Sequence, residues 1–306
     1  MGKIKKLKGW NYYLFISPDE ELLTLCNTRN GVYVYDINTK NIVFQTRTVS
    51  NVAHVVVSPD KKFLAAKNTS GTLAIISMET GEEICRDPME KCEGWQMTFT
   101  EDSSAVLDLD WNGHTMLLTT EGQHILLDGP APDKKKKSPP FVFMKYDPYT
   151  KQIYKFVKDH PDYYGNYVLT SPADKDHISY NELKRITGRF PDHLSGISFC
   201  RKNIYYFEDK NIIVCDRQFR QVNEIRLPLE DTVAEEVYMG NLYVSPAEKY
   251  ALFRPTCMWP VSYLFELETK KLVRRFDYPY AAGFTMIHDD KEFLFSTWEG
   301  TFVGEV

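Results

Sequence analysis

The feature that most constrains this chain is a repeat. A short apolar run, a polar turn and a second apolar run recur along its whole length. Tyr13-Leu14-Phe15-Ile16 leads into Ser17-Pro18-Asp19, with Leu22-Leu23-Thr24-Leu25 beyond. Val55-Val56-Val57 leads into Ser58-Pro59-Asp60 and then Phe63-Leu64-Ala65-Ala66. Met97-Thr98-Phe99, Thr100-Glu101-Asp102 and Val106-Leu107-Asp108-Leu109 follow suit, and later copies turn at Asp147-Pro148, Arg201-Lys202, Ser245-Pro246 and His288-Asp289. Turn positions 17, 58, 100, 147, 201, 245 and 289 are spaced by 41, 42, 47, 54, 44 and 44 residues. That period is the length of a four-stranded propeller blade.

Two further sets of turns fall between these. Asn30-Gly31, Ser70-Gly71, Asn112-Gly113 and Glu299-Gly300 lie between apolar runs, where a hairpin needs residues that tolerate positive φ. Asn38-Thr39-Lys40, Glu79-Thr80-Gly81, Glu121-Gly122, Arg217-Gln218 and Glu268-Thr269-Lys270 mark another hairpin per unit. Three turns per unit give four antiparallel strands. No long stretch carries a 3.6-residue apolar period with caps, so helices should be few. The expected fold is all-β, a seven-bladed β-propeller of four-stranded antiparallel blades in one domain spanning 1–306. Its blades fall near 11–49, 53–86, 95–128, 141–184, 195–228, 240–277 and 283–306. The last unit ends after its third strand, and residues 3–7 are expected to supply the fourth, closing the ring so that no large edge stays open. Two segments break the period: the Pro- and Lys-rich stretch 129–140 and the stretch 184–195. A second parse makes 113–140 an insertion within the third unit and Tyr146–Lys151 a third-to-fourth-strand hairpin.

Composition narrows the class. Of 306 residues, 37 are basic and 42 acidic, a net charge of −5, so no global positive field suggests nucleic acid. Apolar runs stop at four to six residues, far short of the ~18 that cross a bilayer, and Met1–Lys6 has no apolar signal core. Cys26, Cys85, Cys92, Cys200, Cys215 and Cys257 form no Cys-x-x-Cys pair and read as small buried residues of a reducing, cytoplasmic compartment.

The stretch Ala53-His54-Val55-Val56-Val57-Ser58-Pro59-Asp60-Lys61-Lys62-Phe63-Leu64 resembles the WD-repeat propeller family, and the resemblance extends over essentially the whole chain. The Trp-Asp dipeptide that names the family is absent; third strands end in Tyr35-Asp36, Ile76-Ser77 or Cys215-Asp216. The Gly-His pair is missing too, so the family's internal His–Ser–Trp–Asp network is not implied here. The resemblance implies partner binding through one face and the mouth of the central channel.

All five tryptophans map to that face. Trp10 and Trp95 fall in outer-to-inner connections; Trp111, Trp259 and Trp298 fall at second-to-third turns. Tyr12, Tyr163, Tyr164, Tyr278 and Tyr280 add to them, with Arg29, Lys67 and Arg254 as charged companions. Trp, Tyr and Arg are the residues enriched at binding hot spots, although aromatics at blade ends also wedge between sheets. The expected partner-binding set is Trp10, Trp95, Trp111, Trp259, Trp298, Arg29, Arg254 and Tyr164.

Catalytic signals are absent from the sequence. The seven histidines show no i, i+4 metal pair, and no Gly-x-Ser-x-Gly, phosphate-loop or dinucleotide motif occurs. No metal, cofactor or catalytic residue is expected. The favoured reading is a non-catalytic protein- or peptide-binding scaffold, a monomer that binds neither nucleic acid nor membrane. The alternative is a lactonase-like propeller hydrolase at the channel mouth, with Glu235, Glu236, Asn166 and Asn51 as oxygen ligands for Ca²⁺. The lysine run 134–137 reads as a solvated linker rather than a polyanion site.

Overall fold

The computed structural model describes residues 4–17, 19–27, 31–87, 93–110, 114–128, 142–147, 149–150, 152–158, 167–170, 197–208, 211–228, 241–254, 261–278 and 281–306. Among these there is no helix, and the strands form seven sheets. Strand β1 (Lys5–Leu7) is the outer strand of the last sheet. The first sheet holds β2 (Trp10–Ile16), β3 (Leu22–Asn27), β4 (Gly31–Asp36) and β5 (Ile42–Thr46) in sequence order. The second holds β6 (Val52–Val57), β7 (Phe63–Asn68), β8 (Leu73–Ser77) and β9 (Glu83–Arg86). The third holds β10 (Gly94–Phe99), β11 (Ala105–Asp110), β12 (Thr115–Thr119) and β13 (His124–Asp128).

The fourth sheet shows three strands, β14 (Val142–Asp147), β15 (Gln152–Lys158) and β16 (Tyr167–Thr170). The fifth holds β17 (Ser198–Phe199), β18 (Ile204–Glu208), β19 (Asn211–Cys215) and β20 (Gln221–Arg226). The sixth holds β21 (Asn241–Val244), β22 (Tyr250–Arg254), β23 (Val261–Glu266) and β24 (Leu272–Asp277). The seventh runs β25 (Ala281–Ile287), β26 (Glu292–Thr297), β27 (Gly300–Glu305) and then β1, so the N-terminal strand completes it as expected. A complete third sheet ending at Asp128 rules out the alternative parse.

The chain divides into two compact units, one of residues 6–145 with 298–301, the other of 1–5, 146–297 and 302–306. In the first, alternate residues of one strand serve two neighbours, as the two-residue period of a strand requires. Val55 and Val57 of β6 pack with Val32, Val34, Leu64 and Ile76. Val56 points the other way, to Ala65, Ile75, Met97, Phe99, Val106 and Leu118. In the second unit Phe253 joins Tyr205, Val214, Val244 and Phe265, while Leu252 joins Leu264, Phe276, Phe293 and Phe295. Phe276 stacks on Phe295 at 4.5 Å. This two-sided burial explains why inner strands read as unbroken apolar runs. Burial then falls outward: all of β6 is buried, whereas β9 is mostly exposed.

The first-to-second-strand turns follow one design. Ser17 Oγ donates to Asp19 at 2.5 Å and accepts from Leu22 N–H at 2.9 Å. Ser58 does the same with Asp60 at 2.6 Å and Phe63 N–H at 2.9 Å, and Thr100 with Asp102 and Ala105. The fourth turn residue is left-handed each time: Glu20, Lys61, Ser103 and Glu248 have φ of 55°, 60°, 63° and 59°. In the sixth sheet Ala247 stands where the aspartate would be, and Asp290 of the next sheet faces Ser245 and the N–H groups of Ala247 and Lys249 instead.

Outer strands share another device. In five of them one residue has no partner on the neighbouring strand: Val43, Ile84, Leu127, Val222 and Val273. All five are apolar and all are exposed, by 38% to 58%. Each is a β-bulge on a sheet edge.

Candidate functional site

Two of the eight expected binding residues meet. Trp10 opens β2, where it pairs with Cys26, and Trp298 sits in the β26–β27 turn. Their rings lie 6.2 Å apart at 36°, with Trp10 half-buried and Trp298 52% exposed. Glycines make this approach possible. Gly9 (φ 97°) and Gly300 (φ 142°) both occupy conformations that side chains resist. A Cβ on Gly300 would sit 2.9 Å from the Leu7 carbonyl oxygen, and one on Gly9 would sit 3.0 Å from that of Cys26. Thr301 Oγ1 donates to the Gly9 carbonyl at 3.0 Å, tying the start of β27, just after Trp298, to the connection before Trp10. Tyr35 Oη pins the same connection, accepting from Lys8 N–H at 3.1 Å and donating to Lys8 O at 2.9 Å. Lys8 Nζ lies 5.2 Å above the Tyr33 ring. The tryptophan pair therefore rests on a fixed backbone, with one ring offered to solvent.

Other expected residues are placed differently. Trp95 lies on β10 rather than in the connection before it, at a bulge between Gly94 and Gln96. Gly94 pairs with Asp110, and a Cβ there would come 2.4 Å from the Leu109 carbonyl oxygen. Arg254, expected as an exposed companion, ends β22 with only 8% of its surface exposed, so it does not join an accessible surface. Tyr278, half-buried, stacks on Phe302 at 4.4 Å and packs the seventh sheet. Trp111, Trp259, Arg29 and Tyr164 lie outside the described residues, as do Glu235, Glu236 and Asn166 of the hydrolase alternative. Asn51 is exposed in a left-handed conformation (φ 52°) just before β6.

Sequence reasoning missed a buried polar seam between the second and third sheets. Lys67, expected on the face, has no exposed surface and bonds Asp108 Oδ2 at 2.5 Å. It is a core residue because Asp108, 1% exposed, supplies the charge that lets an ammonium leave water. Burial pushes the Asp108 carboxyl above its ordinary range, with Lys67 pulling the other way. His54, opposite Lys67 in register, is driven down to about 3 by burial and then by the Lys67 charge. Its Nε2 lies 3.9 Å from Glu93. His114 Nδ1 sits 2.6 Å from Asp110, and His124 Nδ1 sits 2.9 Å from Asp87. The signal was present: Lys67 and the Asp108-Leu109-Asp110 alternation interrupt apolar strands that have no reason to carry charge.

Among the described residues no cluster of three or more His, Cys, Asp or Glu has a metal-binding arrangement. Burial raises the Cys26 thiol to about 12, and its Sγ donates to the Trp10 carbonyl at 3.0 Å. A thiol so placed is a packing group, not a nucleophile.

Residues 14–114 match the family model of the anaphase-promoting complex subunit 4 WD40 domain. No curated protein matches the chain. Among solved structures, the β-propeller domain of Cps50 (Swd1) from Myceliophteria thermophila superposes with a TM-score of 0.68 at 10% identity, covering 100% of both chains. The fold is that of the WD-repeat-like β-propellers.

Proposed function

We propose that this propeller is a non-catalytic scaffold that holds a protein or peptide partner on the rim carrying Trp10 and Trp298. The observation that supports it most is the exposed Trp298 ring braced on Trp10 by a rigid glycine-containing turn. A large apolar ring held in water on a fixed backbone gains more from a partner than from the rest of its own chain, and it loses little entropy on binding. Neutral polar residues Thr48, Ser50, Asn51, Thr69 and Ser70, all exposed, lie on the connections and turns at the same ends of the first two sheets. Aromatic anchors among small hydrogen-bonding groups make a surface suited to peptide and protein contacts. On sequence spacing alone, Trp95, Trp111 and Trp259 remain further candidates for the same binding role. A cytoplasmic location belongs to the same proposal, supported by the free thiols of Cys26, Cys85, Cys200 and Cys215.

The test is capture of partners by the full chain, compared with Trp298→Ala, followed by titration of the recovered partner. A hot-spot tryptophan is worth about 2 kcal/mol or more, roughly 30-fold in affinity. The variant should lose that factor while melting within a few degrees of the wild type, since half of the ring is already in water. Unchanged binding, or a variant that unfolds, removes Trp298 from the site.

A further inference from the structure

We propose that the segment held on the Trp10–Trp298 rim is an acidic peptide, an apolar side chain with Asp or Glu close on either side, an assignment that rests on the binding role proposed above.

The sign of the rim carries the inference. The chain as a whole is acidic, with a net charge of −5. Its described connections around the tryptophan pair, residues 8–9, 47–51, 69–72 and 298–299, hold three charged side chains: Lys8, Arg47 and Glu299. Lys8 and Arg47 are exposed, and neither has a carboxylate partner among the described residues. Glu299 is already engaged within the chain. The exposed side chain of Lys6 also runs beside this turn, since a Cβ on Gly300 would lie 2.8 Å from its Cε. The acids that follow turn inward instead: Asp87 takes His124 at 2.9 Å, and Glu93 lies 3.9 Å from His54. The charge left over for a partner is therefore positive, against the sign of the whole molecule.

Both cations stand on fixed backbone. Tyr35 Oη holds both backbone groups of Lys8, whose ammonium lies 5.2 Å above the Tyr33 ring. Arg47 lies between two threonines whose hydroxyls meet at 2.8 Å, and Thr46 Oγ1 also accepts the Thr48 N–H at 3.3 Å. Charges placed before the partner arrives cost it little ordering.

The register gives the spacing. Trp10 pairs with Cys26, Cys26 with Val32, and Val32 with Thr46, so the first sheet is crossed in three strand-to-strand steps. At about 4.8 Å per step, Arg47 follows a residue roughly 14 Å from Trp10, whereas Lys8 is two residues, at most about 7 Å, away. An extended peptide advances about 3.3 Å per residue, so its carboxylates should fall within about four positions of the apolar anchor. Two unpaired cations suit a few carboxylates. They do not suit a nucleic acid, whose closely spaced phosphates ask for a longer basic track than an acidic protein offers here.

The experiment selects random phage-displayed nonapeptides on the immobilised full chain, then titrates a selected peptide labelled with fluorescein. Selected peptides should carry an apolar residue with Asp or Glu within about four positions of it. Replacing those acids by Asn and Gln should weaken binding about tenfold, and Lys8→Gln/Arg47→Gln should do the same to the acidic peptide while melting like wild type. The double variant should bind the amide peptide as wild type does, and the acidic peptide should weaken between about 50 and 300 mM salt. Peptides without acids that still need Trp298 overturn the acidic assignment and leave the binding role standing. Peptides of any charge that bind Trp298→Ala as well as wild type remove the binding role itself, and enrichment of none overturns both. A fluorescein-labelled RNA strand bound more tightly than the acidic peptide also overturns the assignment.

Discussion

Removing Lys67 should be among the most damaging single changes open to this protein, and more damaging than removing its partner with it. Lys67 Nζ lies 2.5 Å from Asp108 Oδ2, with the side chains 0% and 1% exposed. Lys67→Met keeps most of the aliphatic volume and deletes the charge. Asp108 is then left as a buried carboxylate, with its second oxygen already lacking a hydrogen-bond partner. Breaking a buried pair from one side costs about 3–5 kcal/mol, whereas replacing both members with apolar groups of similar shape is often neutral. At roughly 2–4 °C per kcal/mol for a chain of this order, the single variant should melt about 10 °C below the wild type. Lys67→Met/Asp108→Leu should recover most of that loss.

The pH dependence adds a second check. Burial already raises Asp108, and Lys67 opposes the rise, so deleting Lys67 raises it further. A carboxyl raised in the folded state binds its proton more tightly there than in the unfolded chain, so lowering the pH toward the ordinary carboxylate range stabilises. The gap between variant and wild type should therefore narrow in acid. Urea unfolding of the three proteins at two pH values measures all of this. A single variant as stable as wild type at neutral pH, or a double variant no better than the single, would refute the reasoning.

Two other outcomes follow from the turns. Gly31 opens β4 at φ 88°, and a Cβ there would stand 2.0 Å from the Thr46 carbonyl oxygen, so Gly31→Ala should cost more than about 3 kcal/mol by denaturant unfolding. Gly81, at φ 76° with nothing within 4 Å, should lose only about 1 kcal/mol on the same change. Lys61 and Ser17 pull the Asp19 carboxyl down to about 2, so what this pair contributes is present above 3.8 and lost as pH falls toward about 2. Asp19→Asn should then unfold at lower denaturant than wild type near pH 6, match it near pH 2, and approach it in 0.5 M salt, which screens an exposed pair.

The sheet framework was legible because it rests on local chemistry repeated many times. Ser17-Pro18-Asp19 and Ser58-Pro59-Asp60 each build their own turn from side chains within five residues, so the period survives in the letters. Gly71, Gly81, Gly122 and Gly300 sit at positive φ where hairpins were expected for the same reason. The site was harder to read. Which residue of a rim loop faces water depends on partners distant in sequence, as when Thr301 meets Gly9 across 292 positions. Trp10 and Trp298 can be assigned to one rim from spacing, but their contact cannot. Lys67 and Arg254 looked like surface cations because side-chain type alone does not reveal a buried counter-charge. In the seam, Asp108 lies 41 positions from Lys67, about one repeat away. Charges at matching places in successive repeats are therefore the pattern through which neighbouring sheets can find each other.

The bulged outer strands determine what kinds of genetic change the molecule can absorb. Val43, Ile84, Leu127, Val222 and Val273 keep a foreign strand from docking by spoiling the count of the ladder rather than by charge. Oily letters at these places are harmless because the misfit resides in the backbone, so one hydrophobic residue can stand in for another there. Deleting such a residue would straighten the ladder while leaving its greasy neighbours exposed, presenting a template on which other chains could stack. At these five sites the reading frame of the strand, and not the identity of the residue, sets how poorly the edge matches an incoming strand.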